Sequence, residues 1–200
     1  MKAKWPNIGL IFGLLLSLAN AKCQKSGNAE LRCQFRTLND LNETDFEVKE
    51  ARNLKISCTE PQSESILRTN HLGYLPHLKH LHIEGCLVKK VPSLAFSGLS
   101  GLHELNFVQN GGQSEEVKII LEVETDALTG LNDLRGLNFS GNNLWSLPKG
   151  IFCSLDNLIE LDLSRNFIQD ASDLGFSSEA LNSCRIPLRN LDLSYNSLSR

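Results

Sequence analysis

The sequence has no second long apolar run, no excess of basic charge and no CxxC pair, and each absence removes a class of function. Beyond the first 21 residues no stretch approaches the roughly 18 apolar residues that a transmembrane helix needs. Lys and Arg number 20 against 23 Asp and Glu, a formal charge of −3, which offers no basic footprint for nucleic acid and no polybasic membrane anchor. Without a CxxC the six cysteines lack the usual zinc-ligand spacing, so zinc is the weaker alternative to disulfides. No nucleophile stands beside a base and no Gly-rich loop suits a phosphate. Glu160 and Asp162 are strand neighbours rather than a shaped catalytic pair. An enzyme is not expected, and no catalytic, cofactor or metal residue is assigned.

Residues 1–21 carry Lys2 and Lys4, then the apolar run from Ile8 to Ala19, then the small-x-small pattern Ala19-Asn20-Ala21. This reads as a signal peptide, with the mature chain starting at Lys22. Removing the two lysines takes the formal charge from −3 to −5. The expected location is the secretory pathway: secreted if the chain is complete, or the extracellular side of the plasma membrane within a longer parent.

Five segments repeat one pattern, apolar at positions 1, 4 and 6, starting at Leu78, Leu102, Leu134, Leu158 and Leu188. The starts lie 24, 32, 24 and 30 residues apart, so two turns fit a 24-residue unit and two carry insertions. In the regular turns the returning arms match position for position. Val88, Val91-Pro92, Ala95-Phe96 and Leu99 correspond to Leu144, Leu147-Pro148, Ile151-Phe152 and Leu155. These are leucine-rich repeats. The expected fold is a solenoid with a parallel β-sheet on its concave face, irregular or short-helical convex arms and an N-terminal disulfide cap. Position 9 carries Asn110, Asn142, Asn166 and Asn196, with Cys86 in the remaining turn. A buried amide is costly unless it bonds the backbone, so the four asparagines read as a structural ladder.

The organisation follows: signal peptide 1–21, polar cap 22–50, a degenerate first repeat 51–77, and five repeats over 78–200, the last incomplete. No returning arm follows the last strand, so the chain reads as a fragment whose exposed core cross-section favours dimerisation or poor solubility. In the degenerate repeat Leu54 and Ile56 face inward, and the arm holds Ile66, Leu72 and Leu75. The insertions after Asn110 and after Phe176 read as surface loops, tolerated or contributing to binding.

An even cysteine count in an oxidising compartment makes disulfides the default. Cys23 and Cys33 suit a small hairpin. Cys58 and Cys86 fall at nearly the same place on adjacent coils, which leaves Cys153 to meet Cys184.

Strand alternation places the residues between the inward leucines on the concave wall. They are His80, His82 and Glu84; Glu104, Asn106 and Val108; Gly136, Asn138 and Ser140; Glu160, Asp162 and Ser164; and Asn190, Asp192 and Ser194. The wall changes from His-bearing to acidic, which suits a basic protein ligand or is a solvated surface. His80 and His82 share a face, but a metal site needs a further ligand and His77 and His103 stand off their row. Partial protonation in an acidic compartment is the other reading. Sequons at Asn42 and Asn138 are expected glycosylation sites, the second on the wall itself. Trp145 belongs on a lateral face, as an interface residue or packed beneath a neighbouring arm.

The stretch from Phe139 to Phe176 resembles early repeats of invertebrate Toll receptors with long ectodomains, the 18-wheeler type. The cap segment from Cys33 to Val48 and the placement of Cys58, Cys86, Cys153 and Cys184 are similar to theirs as well. The resemblance implies the N-terminal ectodomain portion of a single-pass receptor that binds a cystine-knot cytokine or another Toll ectodomain in innate immune or developmental signalling. The membrane span and cytoplasmic signalling domain of such a receptor lie outside this sequence. An adhesion or matrix module and a truncated secreted decoy are the alternatives.

Overall fold

The computed structural model describes residues 23–26, 30–42, 51–111, 119–170, 174, 184 and 186–199. The signal segment, the inserted loop over 112–118 and most of the loop after Asp170 lie outside the described residues, as does Thr44 of the first sequon.

The chain coils as a leucine-rich-repeat solenoid. The strands are β1 (Cys23–Ser26), β2 (Glu30–Phe35), β3 (Asn53–Cys58), β4 (Glu64–Ser65), β5 (His80–Glu84) and β6 (Leu87–Val88). They continue as β7 (Lys90–Val91), β8 (Glu104–Val108), β9 (Glu122–Val123), β10 (Gly136–Asn138), β11 (Glu160–Asp162) and β12 (Asn190–Asp192). Among the described residues, β1, β2, β3, β5, β8, β10, β11 and β12 form one sheet in that order. β1 and β2 are antiparallel and every later neighbour is parallel. The pairs β4·β6 and β7·β9 tie successive arms together behind the sheet.

The sheet begins earlier than the repeat pattern alone indicates. β2 lies inside the segment read as a polar cap, yet Leu31, Cys33 and Phe35 alternate with exposed Arg32 and Gln34 and are buried. That period of two makes Glu30–Phe35 a half-buried strand that pairs with all six residues of β3. The hairpin β1–β2, joined by Cys23–Cys33, therefore closes the core as part of the sheet.

Inward residues stack coil on coil: Leu54 and Ile56, Leu81 and Ile83, Leu105 and Phe107, Leu137 and Phe139, Leu161 and Leu163, all at most 2% exposed. Phe107 lies edge-on to Phe96 at 6.4 Å between centroids and tilted against Phe139 at 5.6 Å, a continuous aromatic column through the middle turns. On the arms, i→i+3 backbone bonds recur at Leu75, Leu99, Leu131 and Leu155, tightening the chain into turns rather than helices. On the first arm Ile66 is 52% exposed and Leu67 is buried. One inward expectation differs. Leu191 is 43% exposed because β12 has a strand neighbour on one side only among the described residues.

Each coil leaves its strand through the same backbone conformation. Position 8 has positive φ in all five turns: Gly85 (64°), Gln109 (53°), Gly141 (68°), Arg165 (56°) and Tyr195 (56°). A side chain there costs about 1–2 kcal/mol, so Gln109, Arg165 and Tyr195 hold a strained conformation that neighbouring bonds must offset. Those bonds come from position 9. Asn142 Oδ1 accepts from Asn110 N at 2.8 Å and its Nδ2 donates to Phe107 O at 2.6 Å, both in the preceding coil. Asn110 does the same with Cys86 N and Ile83 O, Asn166 with Asn142 N and Phe139 O, and Asn196 with Ile168 N and Leu163 O. Cys86, at the same position, reaches the preceding coil through its bond to Cys58, with the Cα atoms 5.0 Å apart.

Candidate functional site

Registration of the sheet turns the wall into rows. One row runs Asn53, His80, Glu104, Gly136, Glu160, Asn190, and the next Lys55, His82, Asn106, Asn138, Asp162, Asp192. The two halves of the wall differ in how their charges are used.

In the lower half the charges satisfy one another. Lys55 Nζ lies 2.8 Å from Glu84 Oε1, and His82 Nε2 lies 2.7 Å from Glu84 Oε2. Burial pushes the Glu84 carboxyl up, but the hydrogen bonds from Lys55 and His82 outweigh it and hold the group below its ordinary value. His80 Nδ1 lies 3.0 Å from Glu104 Oε2 on the adjacent strand, and its ring meets that of His103 edge-on at 6.4 Å. Lys55 escapes the repeat pattern because its strand is degenerate. The alternation Leu54-Lys55-Ile56 is the signal that places it opposite His82.

The upper half is acidic and open. Glu104, Asn106, Asn138, Glu160, Asp162, Asn190 and Asp192 surround a depression of about 660 Å³, with Arg189 at its side. Its floor exists because Gly136 stands in the row between Glu104 and Glu160 and contributes no side chain. Asp162 and Asp192 each spend Oδ1 on the backbone, accepting from Ser164 N at 2.9 Å and Ser194 N at 2.8 Å. That backbone donor holds the Asp192 carboxyl below its ordinary value. Glu160 Oε1 accepts from Asn190 Nδ2 at 3.3 Å. No described cation forms an ion pair with Glu160, Asp162 or Asp192, and with Arg189 the one cation in its lining the depression is net negative.

Strand alternation puts Ser164 on the open wall, but it is 7% exposed, because its N–H turns toward Asp162 and its carbonyl accepts from Asn166. Val108 and Ser140 are half-buried at the wall's edge, and Ser194 is exposed. Asn138 is half-buried on the wall. Its Oδ1 accepts from Ser140 N at 2.8 Å, so the amide nitrogen is on the other side of the group. Asn42 is exposed beside the cap, its Nδ2 donating to Asp40 O at 3.4 Å. Trp145 divides its faces: it packs on Phe167 of the next coil at 6.3 Å and remains 46% exposed. Cys153, on the arm of the third repeat, and Cys184 are joined, with Cα atoms 4.8 Å apart. Among the described residues no three His, Cys, Asp or Glu side chains are placed to share a metal ion. No described helix is long and apolar enough to cross a membrane.

No family model matches the chain. It is 30% identical over 179 residues to Toll-like receptor 7 of Drosophila melanogaster, a match covering 86% of this chain and 12% of that receptor. Fibromodulin of Sus scrofa is 31% identical over 141 residues, 64% of this chain and 92% of the relative. Among solved structures, the crystal structure of a TLR13–ssRNA13 complex superposes with a TM-score of 0.55 at 27% identity, over 74% of this chain and 19% of that one. The chain thus spans about an eighth of the Drosophila receptor's length.

Proposed function

Since the chain belongs to the leucine-rich-repeat proteins, a group that includes fibromodulin and Toll-like receptor ectodomains, we propose that it is a non-catalytic protein-recognition module of the Toll type. In this reading it forms the N-terminal ectodomain portion of an invertebrate long-ectodomain receptor and acts on the extracellular side of the plasma membrane. Its partner is a cystine-knot cytokine or a second Toll ectodomain, engaged through a basic face.

One observation carries the choice of surface: the depression over Gly136 with Glu160, Asp162 and Asp192 unpaired around it. Carboxylates already held by Lys55, His80 and His82 have less to offer a partner, so recognition belongs to the upper wall. The same charge disfavours RNA here, although the TLR13 relative is bound to it, because phosphates would meet carboxylates. A glycan on Asn138 would stand in the depression and move recognition toward the flanks.

The test is binding of the chain to a panel of cystine-knot dimers and Toll ectodomains, with surface-immobilised protein and salt titration. Binding that weakens as salt rises supports the proposal; binding to no member of the panel overturns it. The identity to fibromodulin favours a second reading, an adhesion or matrix module. Under it, cells displaying the chain on an anchor without a cytoplasmic part aggregate.

A further inference from the structure

The residue that precedes each wall strand builds a second surface beside the wall. Arg52, Lys79, His103, Arg135, Ile159 and Arg189 stand in one column, fixed by the backbone. Lys79 N and His80 N both donate to Arg52 O, at 2.7 and 2.9 Å, and His103 N and Glu104 N both donate to Lys79 O, at 2.8 and 3.1 Å. The same doubled bond recurs on the carbonyls of His103, Arg135 and Ile159. Adjacent strands are about 4.8 Å apart, so the column runs about 24 Å from end to end.

Every member but Ile159 is basic or titratable. Arg52, Arg135 and Arg189 are exposed, and Lys79 and His103 are half-exposed. None of Arg52, Lys79, Arg135 and Arg189 forms an ion pair with a described residue, whereas Lys55, Lys89 and Lys90 elsewhere are each paired with a glutamate. Lys79 Nζ donates only to Gly101 O, at 2.9 Å, which holds the ammonium at the edge of the column. At the lower end Arg52, Pro76, His77 and Lys79 line a depression of about 430 Å³. A line of unpaired cations in a chain of net negative charge calls for an anionic partner.

The flanks restrict what that partner is. Glu104 and Glu160 follow His103 and Ile159 directly on the wall side, and Asp133 precedes Arg135 by two residues. A broad acidic protein face would meet those carboxylates, while a thin polyanion lying along the column would not. Single-stranded nucleic acid is held largely by aromatic stacking, and the column has no Phe, Tyr or Trp. We propose that the column is a docking track for a sulfated polysaccharide, whose sulfate and carboxylate groups sit on Arg52, Lys79, Arg135 and Arg189. One end of the polysaccharide enters the depression beside Pro76. The track adjoins the acidic wall depression at Arg189, which lines both, while Arg52, Lys79 and Arg135 lie outside that depression.

The test measures binding of the chain to heparin, desulfated heparin, poly-uridine and poly-glutamate across a salt series. Heparin binds most tightly, and the salt slope falls by about one for each column cation removed. Arg52→Ala with Arg135→Ala weakens heparin by an order of magnitude or so. Arg135→Lys retains most of the affinity, and Arg32→Ala, off the column and paired with Glu30, leaves it unchanged. Because the column side chains of Arg52 and Arg135 make no described ion pair, far-UV circular dichroism of the double variant matches that of the parent. Equal binding of desulfated heparin, tighter binding of poly-uridine or poly-glutamate, or an equal loss from Arg32→Ala each overturns the proposal.

Discussion

At the residue scale the buried asparagines decide whether the coils stay in register. Replacing Asn142 by Ala strands Asn110 N and Phe107 O in a region with no water access, since Asn110 and Phe107 are fully buried. Two unsatisfied backbone groups cost about 2–6 kcal/mol together, and urea denaturation should show that loss. Asn196→Ala also strands groups of buried residues, Ile168 N and Leu163 O, but Asn196 itself is half-buried, so water reaches the vacated space and the loss is about 1 kcal/mol or less by the same measurement. A ladder without structural weight would give small losses at both. The pattern made these residues legible because a polar group recurring at a fixed position of an apolar repeat has few roles other than backbone bonding.

A second residue-scale prediction concerns Glu124. Hydrogen bonds from Lys90 and from Ser93 N lower its carboxyl pKa to about 2. The folded pKa thus lies below the ordinary 4.5, so the charged form is favoured by folding. That contribution is complete above about pH 4.5, the ordinary value, and is lost as pH falls toward about 2. Stability of Glu124→Gln followed from neutral pH down to pH 2 should fall less steeply in that window than that of the parent. Parallel curves contradict the pairing. Nothing in the sequence pointed to Glu124, because Ser93 and Lys90 reach it from the preceding coil and the pairing depends on the length of the insertion after Asn110.

At the scale of elements, the sulfur bridges replace what the amides supply elsewhere. Cys58–Cys86 reaches the one of the five clear repeats without a ladder asparagine and closes a separation of 28 residues. The double variant Cys58→Ser, Cys86→Ser should lose about 2–5 kcal/mol, read from the shift in denaturation midpoint against the parent. Nonreducing peptide mapping should recover Cys153 joined to Cys184, and another partner for either would contradict the coil geometry. The middle coils could be read from the spacing of Leu and Asn, and β5, β8, β10, β11 and β12 fall where it puts them. β2 could not, since Leu31, Cys33 and Phe35 match the strand alternation but not the repeat, and a polar composition masked them. The wall residues follow from alternation, whereas the depression does not: it depends on Gly136 lying between two glutamates from different coils. The basic column is a repeat feature too, since Lys79, His103, Arg135, Ile159 and Arg189 all occupy position 2, but its like charges become one surface only through the strand register.

At the scale of the whole molecule the solenoid separates charges that the chain interleaves. His-bearing and lysine-paired carboxylates lie at the N-terminal end of the wall, carboxylates without a described ion pair at the other, and cations along one edge. Because repeats contact only their neighbours, a surface substitution on β11 leaves the lower wall intact, and binding can be altered without unfolding the array. The most direct measurement is the affinity of Glu160→Lys for whichever panel protein the parent binds, with Glu30→Lys, at the far end of the sheet, as the matched charge control. The recognition account predicts a loss of tenfold or so for Glu160→Lys and little change for Glu30→Lys, with the salt dependence reduced in the first alone. Equal affinities for parent and Glu160→Lys, or equal losses in both variants, would contradict the assignment of recognition to the upper wall.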